Sequence, residues 1–124
     1  MADFPDFVVT VSFDKIDEER ITVAFTIALA ALTKDQRTAI ILMLDGVRVA
    51  TTGYATDIDI GDPFMPLADI IDTFLDQGGD VLACGACMEF KGIMPAELIE
   101  QIKVVSAGDV VDLLTNARGS LQLN

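Results

Sequence analysis

The sequence predicts an α/β fold, a three-layer α/β/α sandwich around a mainly parallel sheet of about five strands. Short apolar runs rich in β-branched residues recur along the chain, and segments with helical periodicity separate them. The two clearest runs lack the alternation of a one-sided sheet, which is typical of strands covered by helices on both faces. Because 124 residues match the usual size of one domain, we expect a single domain over residues 1–124.

The first half of the chain predicts two strands joined by a helix. Residues 7–13 (FVVTVSF) are rich in β-branched and aromatic side chains and predict the first strand. Asp14 is a candidate N-cap, with acidic residues after it, for a helix that runs to about Leu32. Residues 38–44 (TAIILML) predict the second strand, which Asp45-Gly46 closes.

The second half continues the alternation after an irregular segment over residues 47–66. From Leu67 the apolar residues recur at helical spacing, and Gly78-Gly79 ends that helix. Residues 80–83 predict the third strand. A short helix over 95–102 and a strand over 103–105 follow. The next helix begins at a capping box of Ser106 and Asp109 and stops at Gly119. Residues 120–123 predict a last strand.

Composition limits the classes of partner and compartment. Twenty acidic and eight basic side chains leave a net charge of −12, which argues against nucleic acid and anionic membrane surfaces. The N-terminus lacks the basic and apolar regions of a signal peptide. The longest nearly apolar run, residues 23–32, is about half the length of a membrane span. We therefore expect a cytoplasmic protein without a membrane span.

The chain has no histidine, which excludes Ser-His-Asp and Cys-His catalysis and most zinc sites. Neither a P-loop nor a G-x-G-x-x-G motif is present, so we expect no nucleotide cofactor. The acidic residues Asp57, Asp59 and Asp62 lack the spacing of a calcium loop and indicate a solvated loop. A single C-x-x-C without a second pair does not predict a metal site.

The chemistry that remains belongs to Cys84 and Cys87, which follow the third predicted strand. A cysteine at a strand-to-helix junction lies beside free N–H groups, here those of Gly85 and Ala86, which favour an anion. Lys91 is four residues from Cys87 and can reach back towards the thiols if the segment is helical. Both effects lower a thiol's pKa and favour the reactive thiolate. The alternative, two small buried core residues, stays open.

The predicted first helix is apolar on nearly all sides over residues 23–32, with Thr26 as its one polar residue. A helix that covers one face of a sheet normally has a polar outer stripe. Either a neighbouring loop covers the extra apolar surface or a second subunit does. We favour a homo-oligomer.

Residues 80–93 (DVLACGACMEFKGI) resemble the sulfur-relay signature of the DsrE/DsrF-like family, which includes the YchN-like proteins. In that family a strand ends in a cysteine, and a basic residue and a glycine follow seven and eight positions later, as Lys91 and Gly92 follow Cys84. Asp45-Gly46 resembles the family's second landmark. The resemblance implies a flavodoxin-like domain assembled as trimers or hexamers, with a persulfide carried on Cys84. Members of the sulfur-oxidation and tRNA-thiolation branches pass that sulfur to another protein.

The chain departs from those branches at two positions. They typically lack a cysteine corresponding to Cys87, and they usually carry arginine where this chain has Lys91. The second cysteine raises the possibility of an internal disulfide. Three functions therefore remain open: a sulfur carrier or sulfurtransferase based on Cys84, a thiol–disulfide redox protein using both cysteines, and a non-catalytic oligomeric binding module. The sequence does not decide whether the protein is an enzyme.

Overall fold

The computed structural model describes residues 4–123, in which five parallel strands form one sheet in the order β4-β3-β2-β1-β5. The strands are β1 (Phe7–Val11), β2 (Thr38–Leu42), β3 (Asp80–Cys84), β4 (Lys103–Val105) and β5 (Gly119–Gln122). The α-helices are α1 (Glu18–Thr33), α2 (Leu67–Asp76), α3 (Gly85–Phe90) and α4 (Ala107–Asn116). The predicted α/β class, with helices on both faces of a parallel sheet, is confirmed.

Alternate residues of the strands enter two separate cores. Val9 and Ile40 belong to the larger core, which also contains Phe25 of α1 and Phe74 of α2. Val8 and Ile41 belong to the smaller core, together with Leu113 of α4. Because both faces of the central strands are buried, β2 is apolar without alternation, as its sequence predicted.

The start of α1 differs in detail from the prediction. Asp14 caps a short 3₁₀ helix, Lys15–Asp17, by accepting a hydrogen bond from the backbone N–H of Ile16. Asp17 is the N-cap of α1 itself, where it accepts from the backbone N–H of Arg20 and pairs with the Arg20 guanidinium. Two aspartates in succession therefore cap two helical segments, where the sequence predicted one cap.

The end of α2 confirms the role of Gly78-Gly79. Gly78 has a φ of +92°, and its N–H donates to the Leu75 carbonyl, while the N–H of Gly79 donates to the Phe74 carbonyl. These two bonds form a Schellman motif, which satisfies the last carbonyls of the helix. A Cβ on Gly79 would lie 2.4 Å from the Phe74 ring, so this position also needs glycine for space.

The predicted helix over residues 95–102 is wrong. Only Pro95–Glu97 forms a 3₁₀ turn, after which the chain becomes extended. Leu98 forms an isolated antiparallel bridge with Thr51, and the N–H of Ile99 donates to the Ala50 carbonyl at 2.9 Å. Backbone hydrogen bonds to a distant segment replace those of the helix, which is a tertiary effect that local helix propensity does not register.

The C-terminal elements confirm the predicted capping box, but the last helix ends before Gly119, where the sequence predicted its end. The Ser106 hydroxyl accepts from the N–H of Asp109, whose carboxylate accepts from the N–H of Ser106. However, α4 ends at Asn116, and Gly119 is the first residue of β5, beside Phe7 of β1.

The strands β1 and β2 each end two residues before the predicted position, and β3 extends to Cys84.

The outer surface of α1 bears on the predicted assembly. Ile21, Phe25 and Ala28 are buried on its inner face, whereas Ile27 is exposed. The homo-oligomer that this helix predicts stays a prediction. Within residues 4–123, no helix is both long and apolar enough to cross a bilayer.

Candidate thiol site

Both cysteines lie at the carboxyl edge of the sheet, where β3 passes directly into α3. Cys84 is the last residue of β3 and the N-cap of α3, and its side chain makes no capping hydrogen bond. Gly85 begins the helix. A Cβ there would lie 3.0 Å from Val104 Cγ1 and 3.4 Å from the Val105 carbonyl oxygen, so glycine allows the neighbouring strand β4 to approach the thiols closely.

The two thiols differ in their access to solvent. Cys84 is buried, with 9% of the residue exposed, and belongs to the larger core. Cys87 is half-buried, and both cysteines are free thiols. Cys84 is therefore largely shielded from solvent, and Cys87 is the more accessible of the pair.

The protonation of Cys87 also departs from the expectation. Burial raises the pKa of the Cys87 thiol above its ordinary value of 9.0, and a hydrogen bond with Cys84 raises it further. A hydrogen bond from the backbone N–H of Leu44 and the charge of Lys91 lower that pKa without reversing the shift. Cys87 is thus a neutral thiol at pH 7.

Leu44 reaches this site through an unusual backbone conformation. Its φ is +54°, in the left-handed region that costs a non-glycine residue about 1–2 kcal/mol. It opens the 3₁₀ helix Leu44–Ala50 that follows β2, and its N–H is hydrogen-bonded to Cys87. Sequence reasoning missed this residue because leucine gives no signal for positive φ.

The predicted landmark Asp45-Gly46 lies beside the thiol segment. The Asp45 carboxylate is 2.6 Å from Lys91 Nζ, and this hydrogen bond holds the pKa of Asp45 below its ordinary value. A Cβ on Gly46 would lie 2.2 Å from the Val11 carbonyl oxygen, so only glycine allows this segment to pack on the end of β1. The prediction that Lys91 serves the thiols is modified: its direct partner is Asp45, and it acts on Cys87 through its charge.

Gly92 ends α3 through a backbone conformation that favours glycine. It has a φ of +74°, and its N–H donates to the Glu89 carbonyl, while that of Ile93 donates to the Met88 carbonyl. This is a second Schellman motif, with Met88 and Ile93 both buried beneath it. The motif ends α3 after six residues and fixes Lys91 next to Asp45.

An apolar rim of Leu44, Phe90 and Met94 accompanies the thiols. These side chains are exposed to 59%, 89% and 64%, respectively. Leu44 follows β2, and the other two lie in and after α3, so the rim belongs to the segments that hold Cys87 and Lys91. The sequence does not predict this rim, because apolar residues in a short irregular segment have the same pattern whether they are exposed or buried.

The other candidate features lie apart from the thiols. In the acidic loop Asp59 accepts a hydrogen bond from the N–H of Gly61 at 3.1 Å, which forms a local turn. Within residues 4–123, no group of three or more acidic or cysteine side chains is arranged to hold a metal ion. A cavity of about 570 Å³ extends from the beginnings of β2 and β3 along β4 as far as Val105, and its lining also includes Thr38, Asp80, Lys103 and Leu113.

Comparison with known proteins identifies the family. The sequence model of the DsrE/DsrF-like family matches residues 7–123. The chain belongs to the DsrE/DsrF-like family. This confirms the resemblance seen in residues 80–93, and it implies membership of a sulfur-relay family. An uncharacterised protein of Methanopyrus kandleri, MK0008, is 27% identical over 104 residues, which cover 84% of this chain and 82% of that protein.

Solved structures of DsrE-like proteins share the fold. The YchN protein of E. coli superposes with a TM-score of 0.79 at 16% identity, over 95% of this chain and 98% of that one. Protein MTH1491 of Methanobacterium thermoautotrophicum, of unknown function, has a TM-score of 0.71 at 21% identity, over 98% of this chain and all of that one. At these identities the likeness concerns the fold alone.

Proposed function

We propose that this protein is a sulfur carrier in which Cys84 accepts a sulfur atom from a donor persulfide and passes it to a partner protein. The observation that supports this most strongly is the position of Cys84. It ends β3 at the family's motif cysteine, with a second thiol hydrogen-bonded to it and the Lys91–Asp45 pair in the same corner of the sheet. Family membership supports sulfur chemistry in general, and the local geometry supports this residue.

Uptake of sulfur is a thiol exchange in which the atoms balance. The Cys84 thiolate attacks the outer sulfur of a donor R–S–SH, the donor S–S bond breaks, and Cys84–S–SH and R–S⁻ result. The N–H groups of Gly85 and Ala86 lie in the first turn of α3, where backbone donors have no intrahelical acceptor, and they can stabilise the anionic form of the persulfide. Lys91 adds a positive charge nearby, which Asp45 holds in position.

The burial of Cys84 fits a carrier of one atom. Exchange requires only that the outer sulfur of the donor meets the Cys84 thiolate, so a narrow opening is sufficient. A persulfide held in a mostly buried position is protected from oxidants in solution, which attack exposed thiolates preferentially. The same burial is what the non-catalytic alternative predicts, so reactivity has to be measured.

The surroundings of the site favour a protein as donor or acceptor. The apolar rim of Leu44, Phe90 and Met94 offers contact area beside the thiols. A cytoplasmic location belongs to this proposal because a reducing compartment keeps both cysteines free. Assembly as a trimer or hexamer also belongs to it, since α1 exposes apolar surface that a second copy can cover.

A thiol–disulfide redox protein is the second candidate. The proximity of the two thiols favours it, because the Cys84 side chain lies close enough to Cys87 to raise its pKa. Equilibration in glutathione buffers separates the candidates: a reversible disulfide in a chain that never accepts sulfur would favour the redox function.

Mass spectrometry of the intact protein after exposure to a persulfide donor tests the carrier. We expect the wild-type chain to gain one sulfur atom and Cys84→Ser to gain none. Cys87→Ser is the matched control, since it removes the neighbouring thiol and should still take up sulfur. An adduct of equal amount on Cys84→Ser would overturn the assignment of Cys84.

A further inference from the structure

We propose that Cys87 resolves the persulfide on Cys84, releasing its outer sulfur as hydrosulfide and leaving a Cys84–Cys87 disulfide. This inference rests on the proposed function, and it adds an activity that needs no acceptor protein. The chain would then have two outlets for its sulfur, transfer to a partner and release into solution.

The helix geometry places the two thiols within disulfide range. Cys84 is the N-cap of α3 and Cys87 is the third residue of the helix. Residues three apart on an α-helix have Cα atoms about 5 Å apart, and disulfides form between Cα atoms about 4.4–6.8 Å apart. The Cα spacing expected at this junction therefore falls within the range that a disulfide spans.

The contacts of Cys87 direct it towards Cys84. Its side chain is hydrogen-bonded to that of Cys84, and its sulfur receives the N–H of Leu44 from the opposite segment. Cys87 is also the more exposed thiol of the pair, so a small leaving group formed here has a path to solvent. Cys84, at 9% exposure, is the more protected of the two positions.

The resolving step conserves atoms and electrons. The Cys87 sulfur attacks the inner sulfur of Cys84–S–S⁻, the persulfide S–S bond breaks, and a Cys84–S–S–Cys87 bond forms. The proton of the Cys87 thiol passes to the departing sulfur, which leaves as HS⁻. The persulfide sulfur is reduced, and the two cysteines are oxidised to the disulfide. An external dithiol then reduces the disulfide and becomes a disulfide itself.

The protonated state of Cys87 suits this step. The attacking species is the thiolate, so the Cys87 proton passes to the outer sulfur of the persulfide as Cys87 attacks, which supplies the proton of the departing HS⁻ and avoids two adjacent anions. Lys91, fixed by Asp45, provides positive charge near Cys87 as that proton leaves. Each of these groups lies within the corner formed by the ends of β2 and β3.

Sulfide release from loaded protein tests the inference. Wild-type chain and Cys87→Ser are loaded with a persulfide donor, freed of excess donor, and incubated without an acceptor. We expect wild type to release one sulfide per chain and to end two hydrogens lighter than the reduced protein. Cys87→Ser should keep its added sulfur at least tenfold longer. Alkylation followed by peptide mapping identifies the Cys84–Cys87 disulfide in wild type.

The outcomes separate the two proposals. If both proteins load and then keep their sulfur equally long, the resolving step is wrong and the carrier stands. If neither protein loads, both proposals are wrong. Release from wild type without a Cys84–Cys87 disulfide would also overturn the role of Cys87. Because the disulfide is sought in wild type, a folding defect in Cys87→Ser would not hide the answer.

Discussion

The two edges of the sheet differ in what they offer a ligand. At the amino edge, a cavity of about 570 Å³ lies between the beginnings of β2, β3 and β4 and the helix α4. At the carboxyl edge lie two thiols and an ion pair, and the adjoining segments expose Leu44, Phe90 and Met94. Most of the cavity lining thus comes from the amino ends of the strands, whereas the thiols and the ion pair lie at the carboxyl ends.

If Cys84 carries sulfur as proposed, cavity volume is a poor guide to the position of the chemistry in this fold. A small-molecule enzyme must enclose its substrate, so its reactive groups lie in its cleft. The proposed sulfur carrier needs to admit only one atom, so a mostly buried thiol beside exposed apolar side chains meets its requirement. The carboxyl edge is also where ligands generally bind to parallel sheets.

The largest effect should come from the backbone contact that supports the carboxyl edge. Gly46→Ala places a methyl group 2.2 Å from the Val11 carbonyl oxygen, so the segment that carries Leu44 and Asp45 must shift. We expect the free energy of unfolding to fall by about 3 kcal/mol, as in overpacked cores, and sulfur uptake to fall with it. Chemical denaturation measures the first and intact mass the second.

Gly108→Ala is the matched control for that change. Gly108 lies in α4, and its nearest neighbour to an added Cβ is the Ser106 hydroxyl at 3.8 Å. The added methyl should leave sulfur uptake intact and stabilise the helix by up to about 1 kcal/mol. Equal destabilisation by the two substitutions would contradict the special role of Gly46.

A smaller effect is expected on the reactivity of Cys87. Because its pKa is raised, its alkylation should accelerate with pH beyond 9.0. The same shift means that the folded state holds this proton more tightly than the unfolded chain, so the stability that Cys87 contributes is lost as the pH rises above that value. Peptide-resolved alkylation rates and unfolding curves over pH 7–10 measure both.

Lys91→Met refines this measurement by removing the positive charge near Cys87. We expect alkylation of Cys87 to slow by about twofold at a given pH, since the thiolate loses a stabilising charge. Lys103→Met removes the same charge at the amino edge and should leave the profile unchanged. A similar slowing in both variants would mean that net charge, and not the local ion pair, governs the thiol.

The last substitution, Lys103→Met, should leave sulfur uptake unchanged. Lys103 is the first residue of β4 and lines the cavity, and it is not among the groups that shift the pKa of Cys87. Lys103→Met should therefore accept sulfur from a persulfide donor at the wild-type rate, as measured by intact mass. A marked loss of uptake would show that the two edges are connected and that the contrast between them is too simple.

Much of the architecture could be predicted from local sequence. The β-branched runs gave the first three strands, and the capping box of Ser106 and Asp109 gave the start of α4. The helix over 95–102 failed because backbone bonds to Ala50 and Thr51 determine that segment. Such bonds depend on residues far apart in sequence, which periodicity cannot detect.

The site was predictable in its residue types and not in its pairings. The motif spacing identified Cys84, Cys87 and Lys91, and the turn after the second strand identified Asp45. That Lys91 pairs with Asp45, and that Cys84 is nearly buried, depends on how α3 packs against the segment after β2. The left-handed Leu44 had no sequence signal at all.

The conformation of Leu44 links strain within the chain to assembly with other molecules. Glycine would adopt the same φ without the penalty of about 1–2 kcal/mol that leucine incurs. Complete burial of a leucine side chain contributes about 1.5–3 kcal/mol, and this one is 59% exposed in the isolated chain. Burial of this side chain by a docked protein would contribute free energy of the same size as the backbone penalty, at the residue whose N–H is hydrogen-bonded to the second sulfur.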